Sequence, residues 1–327
     1  MLSGTSVAAL GHATEWFDII PSAYSHRPCY LKGEEPNGGS GILPAFIVRR
    51  PFLGAVITSM PFLDIGGPCG GSPSVSASLL DRLVQEAREQ SANLVELRCT
   101  ARIPLSITPM THKVNLLLPL PNSPEAMWKR LSAKVRNQVR KAERSGLSVR
   151  AGGSELLEEF YSVFSINMRD LGSPVHSRDF FSLILDRFSG DARILVVQKD
   201  GITLGGLVSL TFKDTMYVPW AASLRRYAHF CPNMLLYWGI IERSIKEGSS
   251  RFDFGRSTRG SGTYHFKRQW GAEEVQLYWY SVPIKGRSVA KVSAKESRWA
   301  LLSQIWRRLP VSVSVMLGPR IRRYLTQ

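Results

Sequence analysis

The chain has 327 residues, 44% hydrophobic and 21% charged, with 42 Lys or Arg against 26 Asp or Glu and a net charge of +16. That length and apolar content describe a globular chain with room for one large or two ordinary domains. A run of eighteen apolar residues, the mark of a membrane-spanning helix, is missing, and the charge surplus implies a polyanionic partner: RNA, a nucleotide-bearing donor or an anionic membrane face. The start, MLSGTSVAALGHATEW, lacks the basic n-region and long apolar stretch of a signal peptide. Cys29, Cys69, Cys99 and Cys231 lie far apart without ligand spacing, which reads as reduced, cytosolic thiols rather than zinc ligands or a disulfide framework.

From His26 the chain reads as β-rich, with short strands at 29–32, 41–49 and 55–61 punctuated by Pro and Gly. GGPCGGSP (66–73) is a loop whose four glycines either let a ligand approach closely or form a plain connection. Ser74 or Ser76 could cap a helix whose apolar positions Leu79, Leu80, Leu83, Val84 and Ala87 follow the helical period. Strands at 94–99 and 113–118 complete a mixed sheet.

Proline-rich PLPNSPEA (119–126) marks the best boundary, giving an N-terminal half at 1–120, a C-terminal half at 121–284 and a tail at 285–327. After it, Trp128, Leu131, Val135, Val139 and Ala142 fall at helical spacing, which predicts one helix. Lys129, Arg130, Lys134, Arg136, Arg140, Lys141 and Arg144 occupy the remaining faces, offset only by Glu143. This is either a solvated face or, the reading favoured by the imbalance, a surface for tRNA, phosphate or lipid. Then follow strand 147–150, helices 155–171 and 178–188, strands 193–199, 204–213 and 215–222, and a helix at 233–247. The closing stretch, RFDFGRSTRGSGTYHFKRQWGAEEVQLYWY (251–280), reads as strand, glycine-rich turn, short amphipathic segment and strand. Phe266 and Trp270 share a helical face there, and Lys267 stands where the glycine loop, a strand end and two aromatics converge.

Neither GxSxG nor a Cys/His pair at an obvious spacing is present, and the six histidines show no HExxH or HxH pattern. Covalent and metal catalysis are therefore unsupported. The chemistry that fits is direct transfer between bound partners: an amine attacking an ester or thioester builds an oxyanion that needs a fixed cation or N–H donors.

The run GTYHFKRQWG resembles the signature near the end of the Fem family of aminoacyl transferases. Here its residues are Gly262, Tyr264, Phe266, Lys267, Trp270 and Gly271. Trp16, His26-Arg27-Pro28, Gly41 to Pro44, Ser59 to Gly67, Phe252 to Ser257 and Trp306 to Pro310 extend the match along nearly the whole chain. In that order they are most similar to the FemAB-like branch found with exosortase (PEP-CTERM) and exopolysaccharide gene sets. The resemblance implies an α+β fold of two GNAT-like mixed-sheet halves plus a basic helical tail. It implies an N-acyl or aminoacyl transferase acting on an amine of a cell-envelope or polysaccharide precursor, with acyl-CoA or aminoacyl-tRNA as donor and no metal.

By the same resemblance Lys267 stabilises the oxyanion and Phe266 shapes the acceptor site, with Arg256 the second choice of cation. The loop 168–177 corresponds to one that contacts the acceptor in Fem relatives, making Arg169, Asp170 and His176 candidates, His176 as a base. Tyr217, Trp220, Asn233 and Tyr264 border the same cleft as substrate-binding candidates. The strand order of the second half is that of a GNAT acyltransferase, in which the donor pyrophosphate sits at the N-terminus of the helix after the central strand. Arg225 and Arg226 lie there, with Arg136 and Arg140 as further anion-binding candidates, but the usual RxxGxG glycines are absent. The long helical arm that some Fem enzymes use for tRNA is not visible either.

The tail from Lys285 carries ten Lys or Arg against Glu296 alone. Trp299, Leu302, Trp306 and Leu309 are spaced as a basic amphipathic helix that would lie on an anionic membrane or pack on the enzyme itself. The expected location is cytoplasmic, with inner-membrane association left open by this tail. The competing reading is a non-catalytic GNAT scaffold that binds a polyanionic or envelope partner.

Overall fold

The computed structural model describes residues 8–36, 38–51, 54–284 and 301–326. The first elements are α1 (Trp16–Tyr24), β1 (Arg27–Pro28), β2 (Leu31–Glu34), β3 (Ser40–Leu43), β4 (Phe46–Arg50), β5 (Gly54–Thr58), β6 (Cys69–Gly70), α2 (Pro73–Glu89) and β7 (Ala92–Cys99). Next come β8 (Lys113–Pro119), α3 (Pro124–Arg130), α4 (Ala133–Arg144), β9 (Ser148–Gly152), α5 (Leu157–Leu171), α6 (Arg178–Arg187), β10 (Ala192–Lys199), β11 (Ile202–Phe212) and β12 (Thr215–Ser223). The chain continues through α7 (Pro232–Lys246), β13 (Arg251–Thr258), α8 (Gly262–Arg268), β14 (Glu273–Gln276) and β15 (Tyr278–Pro283). A helix over 301–307, here α9, and α10 (Val311–Arg322) complete it. Contacts group these into one unit of Met1–Asn115, Val275–Glu296 and Arg323–Gln327, and a second of Leu116–Glu274 and Ser297–Arg322.

In the first unit a five-stranded sheet runs β1-β4-β5-β7-β15, beside a small sheet β2-β3-β6. β4 and β5 are antiparallel, and β5 passes through α2 to the parallel strand β7. The core forms where Leu79, Leu80 and Leu83 of α2 meet Ile47, Ile57, Val95 and Leu97 of the sheet. Ser72, rather than Ser74 or Ser76, caps α2, its hydroxyl accepting from the Val75 amide. Residues 41–49 form two strands instead of one, because Pro44 interrupts the ladder between β3 and β4.

Beyond Thr58 the chain turns back on β7. Met60 and Phe62 sit in the left-handed region at φ 58° and 70°, a costly conformation for residues with side chains. Arg98 holds this turn from inside the core. Only 2% exposed, it donates to the carbonyls of Met60, Leu63 and Thr326 and stacks over Trp279. The glycines of 66–71 were open to a ligand-contacting reading, and the structure gives them a packing role. The Gly66 and Gly67 amides both donate to the Arg98 carbonyl, and a Cβ on Gly67 would lie 2.5 Å from the Cys99 sulfur.

The second unit repeats the pattern. Its strands belong to a sheet of order β14-β8-β13-β12-β11-β10-β9, in which β10, β11 and β12 form an antiparallel meander. β12 then passes through α7 to β13, which lies parallel to it. The single helix expected over 128–142 is two. Leu131 leaves the helical region, Ser132 caps α4 by accepting from Val135 N, and Arg136 donates to the carbonyls of Trp128, Lys129 and Leu131 at the end of α3. The apolar stripe survives the break: Leu131, Val135, Val139 and Ala142 are all buried.

The tail does not form one free amphipathic helix. Ser303 of α9 donates to the Gly172 carbonyl, Arg169 donates to Leu309, and α10 packs its buried Ser314 and Gly318 against the loop after α5. Within its expected stripe, Leu302 is exposed whereas Trp306 and Leu309 are half-buried; Trp299 and the cations from Lys285 to Arg298 lie outside the described residues. Among the described residues no helix is long and apolar enough to cross a membrane.

Arg98 generates a stability prediction. Arg98→Met should cost at least about 3 kcal/mol, because three buried carbonyls lose charge-assisted donors that methionine cannot replace. Urea unfolding measures it; a loss under about 1 kcal/mol would show that the turn holds itself.

Candidate active site

The second unit contains a wedge between two parallel strands. β12 and β13 pair at Thr215–Arg251, Met216–Phe252 and Tyr217–Asp253, and the register ends there although both strands continue. Each strand carries a cause of the divergence. In β12 the ladder to β11 is irregular, so that Val218 and Pro219 face the single residue Ser209, and a proline has no amide to offer on either side. In β13, Gly255 adopts φ 73°, which rotates its peptide out of the extended line.

The backbone is held on both sides of Gly255. The Asp253 carboxylate accepts from the Gly255 amide at 2.6 Å, and Lys267 Nζ donates to the carbonyls of Gly255 and Arg256 at 2.9 and 2.8 Å. α8 supplies the lysine: Ser261 caps this short helix by accepting from the Tyr264 amide, and Lys267 falls in its last turn. Asp253 is buried, so its charge cannot relax into water and remains committed to this turn. The result is a half-buried ammonium fixed at the point where the strands part.

Aromatic contacts bind the other wall to the same point. Tyr237 of α7 stacks on Phe254 at 5.4 Å and meets Phe266 edge-on at 5.1 Å, while Phe266 contacts Trp270. Gln269 reaches Met234 in the first turn of α7. The start of α7, the end of β13 and α8 are therefore one assembly, with Asn233, Tyr237, Phe254, Arg256, Phe266 and Lys267 on it. Tyr237 and Phe254 are the members that spacing alone did not assign to the site, whereas Asp253, which the sequence leaves open between a loop-holding and a catalytic role, holds the loop. Tyr237 is one helical turn past Asn233, which in hindsight is the signal.

The remaining candidates separate by environment. Tyr217 stands at the apex, opposite Asp253 in the last register pair. Arg225 and Arg226 are exposed on a 3₁₀ turn (Arg225–Phe230) leading into α7, with Arg226 stacked over Tyr227. No acidic residue lies in the first turn of α7, so the positive end of that helix is uncompensated locally. Arg140 lies over Trp128, which packs on Trp238. Arg136 is occupied at the end of α3, as described above. Tyr264 gives its hydroxyl to Glu274, which also takes Arg259, so it is tied on the outer side of α8 rather than offered to a substrate.

Three expectations from the acceptor loop fail. His176 is fully buried, stacked on Phe180 and edge-on to Trp220, and accepts from Arg322 Nε at 3.2 Å. Burial first, and the Arg322 charge second, hold its pKa well below the usual value. It is a neutral core acceptor that solvent does not reach, unsuited to act as a base. Arg169 pairs with Asp170 and donates to Leu309, so both serve the junction with the tail. Trp220 is buried among Phe180, Phe181 and His176. Among the described residues no group of His, Cys, Asp or Glu is arranged to hold a metal ion.

With this geometry in place, comparison with known proteins identifies the domain. Residues 129–268 match the family described as an acetyltransferase (GNAT) domain, so this part of the chain is a GNAT domain and the protein is an acyltransferase. Beyond that domain, nearly the whole chain shares its fold with solved structures. The structure of FemX superposes with a TM-score of 0.65 at 14% identity, covering 91% of this chain and 95% of that one. L-PGS from Bacillus licheniformis gives 0.55 at 12% identity, covering 91% and 98%. The C-terminal domain of a putative lysylphosphatidylglycerol synthetase from Agrobacterium fabrum gives 0.55 at 12%, covering 88% and 90%. No curated protein matches the sequence significantly.

The buried histidines predict an acid-side instability. Burial, followed by the Arg323 charge, lowers the pKa of His26 from 6.5 to about 4. His176 shifts the same way. The unfolded chain therefore takes up protons before the folded one does, and stability present above the unfolded value is lost as pH falls from 6.5 toward 4. Each histidine contributes up to about 1.4 kcal/mol per pH unit in its window. Chemical denaturation at a series of pH values should show this slope, reduced in His26→Gln; a flat profile would contradict the assignment.

Proposed function

We propose that the chain transfers an acyl or aminoacyl group directly to an amine of a cell-envelope or exopolysaccharide precursor, without a covalent enzyme intermediate. The observation that carries this reading is the strand wedge with Lys267 pinned at its apex. The two parallel strands stop pairing past Tyr217 and Asp253, and in this reading that divergence is the entry for an extended acyl-bearing arm. The start of α7, with Arg225 and Arg226 before it, offers positive potential to the phosphates of a nucleotide-bearing donor.

The donor carries its acyl group as a thioester or ester: acyl-CoA is the usual GNAT donor, and aminoacyl-tRNA is the donor implied by the Fem resemblance. Attack by the acceptor amine forms the C–N bond and drives charge onto the carbonyl oxygen. Collapse then breaks the C–S or C–O bond, and the proton lost by the amine leaves with the donor's thiol or ribose hydroxyl. The fixed Lys267 ammonium, with Arg256 beside it, stabilises the charge on the carbonyl oxygen in a partly dehydrated site. Its hydrogen bonds to Gly255 and Arg256 keep the ammonium in place before substrate arrives, which limits reorganisation during the reaction. Phe266, braced by Tyr237 and Trp270, forms the apolar wall against which the acceptor is placed. The envelope acceptor is supported by a fold shared with FemX and with a putative lysylphosphatidylglycerol synthetase.

Acetyl-CoA and an aminoacyl-tRNA, each labelled in the acyl group, can be offered separately with an extract of envelope precursors. Transfer from at least one is expected. Lys267→Met should lower that transfer by about two to three orders of magnitude, the usual effect of losing one oxyanion-stabilising group. Donor affinity should change far less. Equal losses in both would mean that Lys267 only shapes the Gly255 turn, and near-normal turnover would remove it from the mechanism.

A further inference from the structure

We infer that α9, α10 and the loop on which they dock form a surface that seats the protein on an anionic lipid bilayer. Nine large apolar side chains are prominently exposed among the described residues, and six of them are Leu171, Leu301, Leu302, Ile305, Met316 and Ile321. Such a concentration in one part of one unit is not the scatter expected of an ordinary surface. The first five are between 53% and 59% exposed.

Both helices are fixed by their other faces, so these side chains are held outward. Ser303 donates to Gly172, Arg307 reaches the Leu171 carbonyl, and Gly318 lies so close to Val175 that a Cβ there would sit 2.8 Å from its methyl group. In α9, Leu301 and Ile305 are one turn apart, with Leu302 beside them and Arg308 just past the end of the helix. In α10, Met316 and Arg320 are one turn apart on the side opposite the buried Ser314 and Gly318.

Charge chooses the occupant. From residue 297 onward the sequence contains six arginines and no Asp or Glu. Arg307, Arg308 and Arg320 are exposed beside the apolar positions. A second copy of the same surface would bring arginine against arginine. A layer of anionic headgroups over hydrocarbon satisfies both components, with the leucines, isoleucine and methionine entering the acyl boundary and the guanidinium groups meeting phosphate. The contact requires no spanning segment. It would also bring an acyltransferase to substrates made at a membrane face, although the inference stands on the surface alone.

The test uses the full 327-residue chain in sedimentation with vesicles of phosphatidylglycerol and, separately, phosphatidylcholine. Binding is expected on phosphatidylglycerol and should weaken as salt is raised; on phosphatidylcholine it should be at least about tenfold weaker. Leu302→Glu/Ile305→Glu changes two exposed residues, so its melting temperature should match the wild type while its vesicle affinity falls at least about tenfold. Failure of the wild type to bind phosphatidylglycerol, equal binding to both lipids, or undiminished binding by the double variant would each overturn the proposal. So would a wild-type dimer in sedimentation velocity that the variant abolishes without any vesicle binding.

Discussion

The interaction on which the second unit depends is the clamp on the backbone on both sides of Gly255. Two parallel strands can remain paired for their full length unless something turns one of them aside. Gly255 turns β13 aside, Asp253 accepts from the Gly255 amide before the turn, and Lys267 donates to the Gly255 and Arg256 carbonyls after it. Removing the clamp would free the backbone that follows the last register pair, Tyr217–Asp253. The same lysine thus holds the turn and places a positive charge where the strands part. The side chain that fixes the turn is also the one proposed to act on the substrate, so a variant must be read with binding and turnover measured separately.

The first unit shows what the same architecture becomes when its opening is filled. It repeats the passage from an antiparallel pair through a helix to a parallel strand. Past Thr58, however, its own chain occupies the place where the strands would part. Ser59 bonds to β7 through both its amide and its hydroxyl, Gly66 and Gly67 close on Arg98, and His12 bonds the Gly67 carbonyl. Buried Arg98 gathers three carbonyls into that plug. A cation stands near the corresponding strand in both units, but in the first its donors are spent on the protein interior.

Much of this was legible in the sequence because the period of apolar residues reports burial directly. The meander at 192–223 and helices α5, α6 and α7 fall where the pattern places them to within a few residues. That Lys267 meets the glycine turn, and Phe266 its aromatic neighbours, was legible from their setting in the sequence; the roles proposed for them come from the resemblance. What failed had tertiary causes. The stripe at 128–142 is continuous in burial but not in backbone, and Ser132 with Arg136 provides the break that periodicity does not register. His176 occupies a polar-looking loop that the tail covers, and the tail lies well over a hundred residues away in sequence. The repeat between the halves was legible only through the resemblance, because it resides in strand direction and crossover, which unrelated side chains can produce. The glycines of 66–71 left ligand contact and plain connection open, because a close backbone approach has the same sequence signature whether the approaching group is substrate or protein.

The central claim is that the parted strands of the second unit receive the acyl donor. Hydrogen–deuterium exchange of the full chain, with and without a non-transferable acyl donor analogue, tests it most directly. The account predicts selective protection of amides in β12 after Tyr217, in β13 from Gly255 onward and in the first turn of α7, with β10 unchanged. Donor binding that leaves those amides exchanging as before, while protecting some other segment, would contradict it.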